Sequence, residues 1–201
     1  YYRLVYGDSD GLPGLVVDRF GEHLVVQIST AGMEREREAL VAALVKVLKP
    51  AGILLKNDGK MRQVEGLDSY VEVAYGEVPQ VLTLRENGVT FETRVREGQK
   101  TGWFYDHRES RARLKGLVAG KRVLDVFSYI GGWGVQAAAF GAAEVHCVDA
   151  SERALDQGQF ELVVIGRRGP ELGEHRAERV RGRYAQVLAR LHACGEDAHL
   201  A

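Results

Sequence analysis

The stretch "VLDVFSYIGGWGVQAAAFGAAEVHCVDAS" (residues 123–151) decides the fold class of this chain. Its first run is apolar, β-branched and without polar alternation, which is typical of a buried parallel strand. Glycines at positions 131, 132 and 134 interrupt that run, and "VQAAAFGA" follows as a small, tightly packed helix. "EVHCVDAS" predicts a second buried strand, after which Ser151 can cap a helix through "ERALDQ". This order and spacing predict a βαβ unit of a doubly wound α/β sheet.

The glycine-rich turn predicts a ligand site, because ligands of open α/β sheets bind beyond the carboxyl ends of the strands. Glycines after the first strand let the backbone approach the ligand and aim the amides of a helix N-terminus at it. Asp149 closes the second strand, where its carboxylate can accept hydrogen bonds from both hydroxyls of a ribose. The pattern indicates an adenosine-containing ligand; S-adenosylmethionine, a dinucleotide and a structural turn without a ligand remain alternatives.

Two details favour S-adenosylmethionine over a dinucleotide. The dinucleotide fingerprint G-x-G-x-x-G is not matched in full, because an alanine follows where the last glycine belongs. Asp125 lies inside the first strand, two residues before the loop begins at Phe127. A carboxylate there suits a cationic ligand and repels a pyrophosphate. A dehydrogenase is therefore the weaker reading of this turn.

Composition sets the broad class. The 201 residues are 45% hydrophobic and 27% charged, as in an ordinary globular protein of one domain or two small ones. A formal net charge of −1 argues against a wholly basic nucleic-acid binder and leaves room for local basic clusters. No apolar run reaches the roughly 20 residues of a membrane span and the opening is no signal peptide, so we expect a cytoplasmic protein with no membrane partner. The cysteines, Cys147 and Cys194, lack metal-ligand spacing, so no metal site is expected.

The first half of the chain reads as mixed α and β structure. "LVVDRFGEHLVVQIST" predicts a hairpin that turns at Gly21-Glu22, and helical spacing then predicts a helix over residues 33–48. "GILLK" predicts a short strand, and the Asn87-Gly88 pair predicts a second hairpin with a type I′ turn. We therefore expect a small α+β domain over residues 1–97 and an α/β domain over residues 98–201.

Two long motifs resemble a known family. "GQKTGWFYDHRESR" (residues 98–111), followed by "VLDVFSYIGGWGVQAAAFGA" (residues 123–142), is similar to the bacterial class I ribosomal-RNA methyltransferases. Members of that family have a PUA domain, a small central strand–strand–helix–strand–strand domain and a Rossmann-like methyltransferase domain. Their pattern is close to G-Q-K-T-G-x-F-x-D-Q-R-x-N-R and then F-S-Y-T-G-G-F. This chain differs at His107, Ser110, Ile130 and Trp133.

The segments "RLVYGDSDGLPGLVVDRFG" (residues 3–21) and "VEGL" (residues 64–67) also resemble the central domain of that family. The resemblance therefore covers about residues 3–155. It implies an α/β fold class in which a partial Rossmann-like parallel sheet, of the class I methyltransferase type, follows a small α+β domain.

The resemblance also implies a cofactor, S-adenosylmethionine, and a set of residues that bind it. Lys100, Thr101 and Gly102 match a loop that lies over the cofactor, and Asp106 and Arg108 match its acidic and basic residues. The loop that begins at Phe127 matches the loop that holds the methionine part, and Asp149 matches the acid that binds the ribose. The expected cofactor-binding residues are Lys100, Thr101, Gly102, Asp106, Arg108, Phe127, Ser128, Tyr129, Gly131, Gly132, Asp149 and Ser151.

Ribosomal RNA is the partner that the resemblance implies. Long basic side chains near an α/β crevice also suit RNA phosphates, so the expected RNA-binding residues are Lys100, Arg108, Arg111 and Lys115. Three aromatic residues in a row are candidates for stacking on a displaced base, and core packing is the alternative. They are Trp103, Phe104 and Tyr105.

The family's commonest activity is methyl transfer to C5 of cytosine in large-subunit RNA, although relatives act on other bases. C5 chemistry needs a cysteine thiolate that adds to the ring. Cys147 lies in mid-strand and is expected to be an inert core thiol, and Cys194 has no recognisable catalytic context. The sequence therefore identifies no catalytic residue. A non-catalytic RNA-binding module derived from such an enzyme is the alternative function.

After "ERALDQ" the sequence departs from the family pattern, which continues with an acid that reads the adenine and later with Asp-Pro-Pro. "ERVRGRYAQVLARL" can align as the third strand and its helix, which puts Arg183 where the adenine-reading acid belongs. Alternatively, "FELVVIGRR" can align as the fourth strand, with Gly166, Arg167 and Arg168 replacing Asp-Pro-Pro. We expect a fragment, or a chain altered after Gln157, whose exposed apolar sheet favours a homodimer.

Overall fold

The computed structural model describes residues 1–149. The chain divides into two compact units, Tyr1–Arg108 and Glu109–Ala201, named here the N-terminal and the C-terminal unit. Residues 98–108 belong to the N-terminal unit in this division, and the domain boundary expected between residues 97 and 98 stays a prediction. Ser151, Cys194 and both alignments of the last 44 positions, residues 158–201, lie outside the described residues.

A five-stranded sheet forms the centre of the N-terminal unit. Strands β3 and β4 are parallel, and the other neighbours are antiparallel. The hairpin expected at Gly21-Glu22 is confirmed, with Phe20 opposite His23. In sheet order the strands are β1 (Tyr2–Tyr6), β2 (Leu15–Phe20), β3 (His23–Ile28), β4 (Gly52–Asn57) and β5 (Tyr70–Gly76).

The two edge strands, β1 and β5, were not predicted. Both are tyrosine-containing and half-exposed, and neither has the buried alternation that marks the inner strands. An edge strand is paired on one side only, so its sequence carries a weaker periodic signal than an inner strand does.

Helices cover one face of this sheet. The single helix predicted over residues 33–48 is wrong, because Glu36 (φ −89°, ψ 6°) separates α1 (Ala31–Arg35) from α2 (Arg37–Leu48). Leu44 of α2 is buried against a cluster that includes Val17, Val26 and Ile53 of the sheet. Between β4 and β5 lies the one-turn helix α3 (Met61–Val64).

A second, two-stranded sheet belongs to the same unit and consists of β6 (Leu82–Glu86) and β7 (Val89–Thr93). Its turn residues, Asn87 and Gly88, have φ angles of 52° and 84°. A type I′ turn requires positive φ at both central residues, so the Asn-Gly hairpin prediction is confirmed.

The C-terminal unit contains the predicted strand–helix–strand. A short helix α4 (Arg108–Ala112) spans the division, and a 3-10 helix (Arg113–Gly116) follows it. Strands β8 (Arg122–Val126) and β9 (Glu144–Val148) are parallel, and α5 (Gly132–Ala139) connects them. The parallel βαβ arrangement is confirmed, and α5 begins three residues earlier than predicted.

Strand β8 corrects one expectation. Its sequence predicts a strand buried on both faces, but Leu124 is 66% exposed and Val126 48% exposed. Asp125, on the face toward α5, is buried. Helix α5 covers the face of β8 that bears Asp125, and among the described residues the opposite face, with Leu124 and Val126, is exposed.

No helix within residues 1–149 is long and apolar enough to cross a membrane. Over the same residues, no cluster of three or more His, Cys, Asp or Glu side chains is placed to hold a metal ion.

Candidate functional site

The loop between β8 and α5 has an unusual backbone. Phe127, Tyr129 and Gly131 have φ angles of 61°, 52° and 75°, whereas Ser128 and Ile130 between them have negative φ. Left-handed backbone costs a residue with a side chain about 1–2 kcal/mol, so the surrounding structure must impose it. The alternating backbone hand turns the chain sharply here, and the N–H of Gly131 donates to the carbonyl of Ser128 at 2.8 Å across the turn.

Asp149 holds this loop in place. Its Oδ2 accepts a hydrogen bond from the backbone N–H of Tyr129 at 2.8 Å, and the N–H of Ser128 donates to the carbonyl of Val148 at 3.1 Å. The acid expected to bind a ribose therefore lies against the loop expected to hold the methionine part. The structure thus brings six predicted residues together beyond the carboxyl ends of two parallel strands: Phe127, Ser128, Tyr129, Gly131, Gly132 and Asp149.

Ser128 has capacity for a ligand. Its side chain is 4% exposed, and its Oγ has no hydrogen-bond partner within the described part of the chain. An unsatisfied buried hydroxyl costs about 1–3 kcal/mol, a penalty that a polar ligand atom beside it removes. This orphaned hydroxyl fits a ligand that carries a polar group.

Asp125 lies beneath the loop. Burial raises the pKa of its carboxyl group, while the N–H of Gly134, at 2.8 Å from Oδ2, and the thiol of Cys147, at 3.9 Å, oppose that rise. The nearby carboxylate of Asp149 also raises the pKa of Asp125. Two carboxyl groups near the loop favour a ligand that brings positive charge.

The packing of α5 on β9 explains one of the glycines. A Cβ on Gly134 would lie 2.3 Å from the Sγ of Cys147, so only glycine fits at this helix–strand contact. The Cys147 thiol is 5% exposed, and burial raises its pKa to about 12. The expectation that Cys147 is a core thiol is therefore confirmed, and its inertness stays a prediction.

The N-terminal unit fixes two other predicted residues. Thr101 is buried and donates from its Oγ1 to Asp18, whose carboxylate also accepts from Nε and Nη2 of Arg3 at 2.8 and 2.9 Å. The carbonyl of Gly102 accepts from the hydroxyl of Thr93 at 2.9 Å. Asp18 was not among the predicted site residues, although a carboxylate inside the apolar run "LVVDRF" was a usable signal.

The charged residues of the same loop are more accessible. Lys100 is exposed, with its Nζ 4.7 Å from the centroid of the Phe104 ring, and Asp106 is exposed. Arg108 is half-buried: its Nη2 donates to the carbonyl of Tyr1 at 2.9 Å, and its Nε lies 3.8 Å from Glu86. These are the charges with which this segment can meet a ligand.

Two aromatic residues that were candidates for base stacking lie in the core instead. Trp103 is 2% exposed and donates from Nε1 to Glu86 at 2.9 Å, and Tyr105 is 8% exposed and donates from its hydroxyl to the carbonyl of Arg19. Core packing, the alternative weighed for these aromatics, is therefore confirmed for both.

The two other basic candidates, in the C-terminal unit, differ in exposure. Arg111 is 3% exposed, so its guanidinium is not placed to meet an RNA phosphate, whereas Lys115 is exposed. A basic cluster read from the sequence alone cannot distinguish these two environments.

A parallel strand–helix–strand, with a strained loop after the first strand and an acid after the second, defines the class of protein: a Rossmann-like α/β fold with a ligand loop after its first strand. The family model for S-adenosylmethionine-dependent methyltransferases matches residues 12–174, and the chain belongs to this family.

The individual relatives agree. The chain is 42% identical over 156 residues to "Ribosomal RNA large subunit methyltransferase I" of Shigella boydii, a match that covers 77% of this chain and 39% of that protein. It is 37% identical over 196 residues to the protein of the same name from Klebsiella pneumoniae, covering 97% and 48%. The chain thus spans less than half the length of these curated relatives.

A solved structure of a candidate methyltransferase complexed with SAH is also similar to this chain. It is 30% identical, the match covers 78% of this chain and 40% of that one, and the TM-score is 0.67.

Proposed function

We propose that this chain is part of an enzyme that transfers a methyl group from S-adenosylmethionine to a base of ribosomal RNA. The observation that carries the proposal is the strained loop of residues 127–131, held by Asp149 at the end of the neighbouring parallel strand. The names of the curated relatives support ribosomal RNA as the substrate.

When bound, S-adenosylmethionine supplies an electrophilic methyl group on a positively charged sulfur. The loop residues Phe127, Ser128, Tyr129, Gly131 and Gly132 hold its methionine part, where the hydroxyl of Ser128 gains a polar partner.

The two acids serve the rest of the cofactor. Asp149 binds the ribose hydroxyls, and Asp125 contributes negative charge beneath a cationic ligand. Ser151 stays a proposed contact beyond the described residues. Five further residues stay proposed cofactor contacts, supported by their match to the family's motif. They are Lys100, Thr101, Gly102, Asp106 and Arg108.

On the RNA side, Lys100 and Lys115 are the exposed cations of the predicted set and suit phosphates. Arg108 stays a proposed RNA contact, although it already contacts Glu86 and Tyr1. Arg111 is not proposed as an RNA contact, because this residue is buried. An RNA substrate of this kind places the activity in the cytoplasm.

We propose further that the methyl group is transferred to C5 of a cytosine in large-subunit RNA. It rests on the family resemblance of residues 98–111 and 123–142. The protonated, buried Cys147 is not the nucleophile of such a reaction, so the catalytic group lies elsewhere in the protein.

The test incubates a protein containing this chain with large-subunit RNA transcribed in vitro and S-adenosylmethionine labelled in its methyl group. After digestion to nucleosides, we expect the label in 5-methylcytidine. Label in another nucleoside would support methyltransferase activity but would overturn the assignment of C5 of cytosine as the methyl acceptor. Cofactor binding and RNA binding without transfer would favour the alternative, a non-catalytic RNA-binding module.

A further inference from the structure

The N-terminal unit contains a pocket in which Tyr2, Arg3 and Tyr6, which no prediction names, lie beside residues of the segment 98–108. We propose that it binds one unpaired base of single-stranded RNA, an inference that rests on the proposed RNA substrate. The pocket has a volume of about 360 Å³, near the lower end of the roughly 300–1,000 Å³ range of small-ligand sites. Its walls are Tyr2, Arg3, Tyr6, Tyr105, Asp106 and Arg108.

A β-bulge in strand β1 builds one wall. Arg3 pairs with Asp18 and Val5 with Val17, so Leu4 is an extra residue in β1. Leu4 and Val5 both pack against the helix-side core, which leaves Arg3 and Tyr6 to emerge together on the other face. Bulges of this kind re-aim side chains and are enriched beside functional sites.

Tyr6 has the properties of a stacking platform. Its ring is 56% exposed, and the guanidinium carbon of Arg3 lies 5.3 Å from the ring centroid. The bidentate ion pair with Asp18 fixes that guanidinium, so the ring is backed by an ordered cation. Tyrosine rings and guanidinium planes are the groups on which proteins stack unpaired RNA bases.

The charges around the pocket favour a base over a phosphate. Its two guanidinium groups, Arg3 and Arg108, face three carboxylates: Asp18 and Glu86, which pair with them, and the exposed Asp106. A phosphate meets no excess positive charge there. A base, in contrast, is uncharged and flat, and its amino or imino N–H can donate to the carboxylate of Asp106.

The first test measures binding of a fluorescein-labelled, single-stranded oligocytidine of 12 nucleotides to the 201-residue chain by fluorescence anisotropy. Tyr6→Ala is expected to weaken binding about 5- to 100-fold, the usual effect of removing one stacking side chain. The slope of log affinity against log salt is expected to stay the same, because no phosphate contact is lost.

Two matched variants accompany Tyr6→Ala. Tyr75→Ala removes an exposed tyrosine from β5, the opposite edge of the same sheet, and is expected to bind RNA as the parent does. Tyr6→Phe retains the ring and is expected to retain most of the affinity.

Equal RNA affinity in Tyr6→Ala and Tyr75→Ala would overturn the assignment, as would a parent chain that does not bind the oligonucleotide. A reduced salt slope in Tyr6→Ala would overturn it in favour of a phosphate site. Calorimetric titration of the same samples with S-adenosylmethionine separates this inference from the proposed function. If Tyr6→Ala binds both S-adenosylmethionine and RNA as the parent does, only the pocket assignment is overturned. If the parent chain does not bind S-adenosylmethionine, the result counts against the proposed methyltransferase function.

Discussion

At the scale of single residues, Gly134 is set by packing. A Cβ there would meet the Sγ of Cys147 at 2.3 Å and a methyl carbon of Val145 at 3.1 Å. We expect Gly134→Ala to lower the free energy of unfolding by about 1–3 kcal/mol, as overpacking does. Urea denaturation measures the change. The matched control is Gly32→Ala in α1, where a Cβ meets nothing within 4 Å and stability should hold or rise. Equal effects of the two substitutions would contradict this packing argument.

Asp125 predicts a pH dependence of stability. Burial raises the pKa of its carboxyl group in the folded state, so the folded chain holds the proton more tightly than the unfolded chain does. The contribution of Asp125 to stability is therefore greatest below the ordinary aspartate pKa, about 4, and falls as the pH rises through the raised folded-state pKa.

The variant Asp125→Asn removes the titrating group, while its amide oxygen can still accept from the N–H of Gly134. Urea denaturation at several pH values between about 4 and 8 should give a flatter stability profile for this variant than for the parent. Gly32→Ala, which changes no titratable group, is the control and should leave the shape of the profile unchanged. Parallel profiles for parent and Asp125→Asn would rule out Asp125 as the source of the pH dependence.

At the scale of elements, one hydrogen bond connects the segment of residues 98–108 to the sheet of the N-terminal unit. The hydroxyl of Thr101 donates it to the buried carboxylate of Asp18. Thr101→Val keeps the shape and removes the donor, so we expect a loss of about 1–3 kcal/mol in the free energy of unfolding. Thr101→Ser retains the hydroxyl and is the matched control. If the two variants unfold at the same denaturant concentration, the hydrogen bond does not stabilise this segment.

Elements with a strong local signal were predictable from the sequence. The β2–β3 hairpin, the Asn-Gly turn of β6–β7 and the β8–α5–β9 unit each follow from residues close together in the chain. The break at Glu36 was not predictable, because the charged run of residues 34–38 contains neither Gly nor Pro and is compatible with one continuous helix.

Only part of the candidate site, likewise, was predictable from the sequence. The loop and Asp149 could be found from the sequence, because a βαβ pattern fixes where they meet. The unpaired hydroxyl of Ser128, the Thr101–Asp18 contact and the burial of Arg111 depend on contacts between distant parts of the chain or on local packing. No periodic pattern encodes such contacts.

At the scale of the whole molecule, the exposed apolar side chains of the C-terminal unit predict self-association. Leu124, Val126 and Phe127 are 66%, 48% and 85% exposed. A contiguous apolar surface of this kind usually binds another surface, so we expect a concentration-dependent dimer of the 201-residue chain in sedimentation velocity. The double variant Leu124→Lys/Val126→Lys should shift the population toward monomer. A parent chain that is monomeric at every concentration would contradict the prediction.

The measurement that tests the central claim most directly is calorimetric titration of the 201-residue chain with S-adenosylmethionine, with NAD as the control ligand. We predict saturable binding of S-adenosylmethionine and none of NAD. Asp149→Ala should weaken that binding by about 1.5–3 kcal/mol, since charge-assisted hydrogen bonds are lost. Binding of NAD, or S-adenosylmethionine affinity that is the same in parent and Asp149→Ala, would contradict a cofactor site at the loop of residues 127–131.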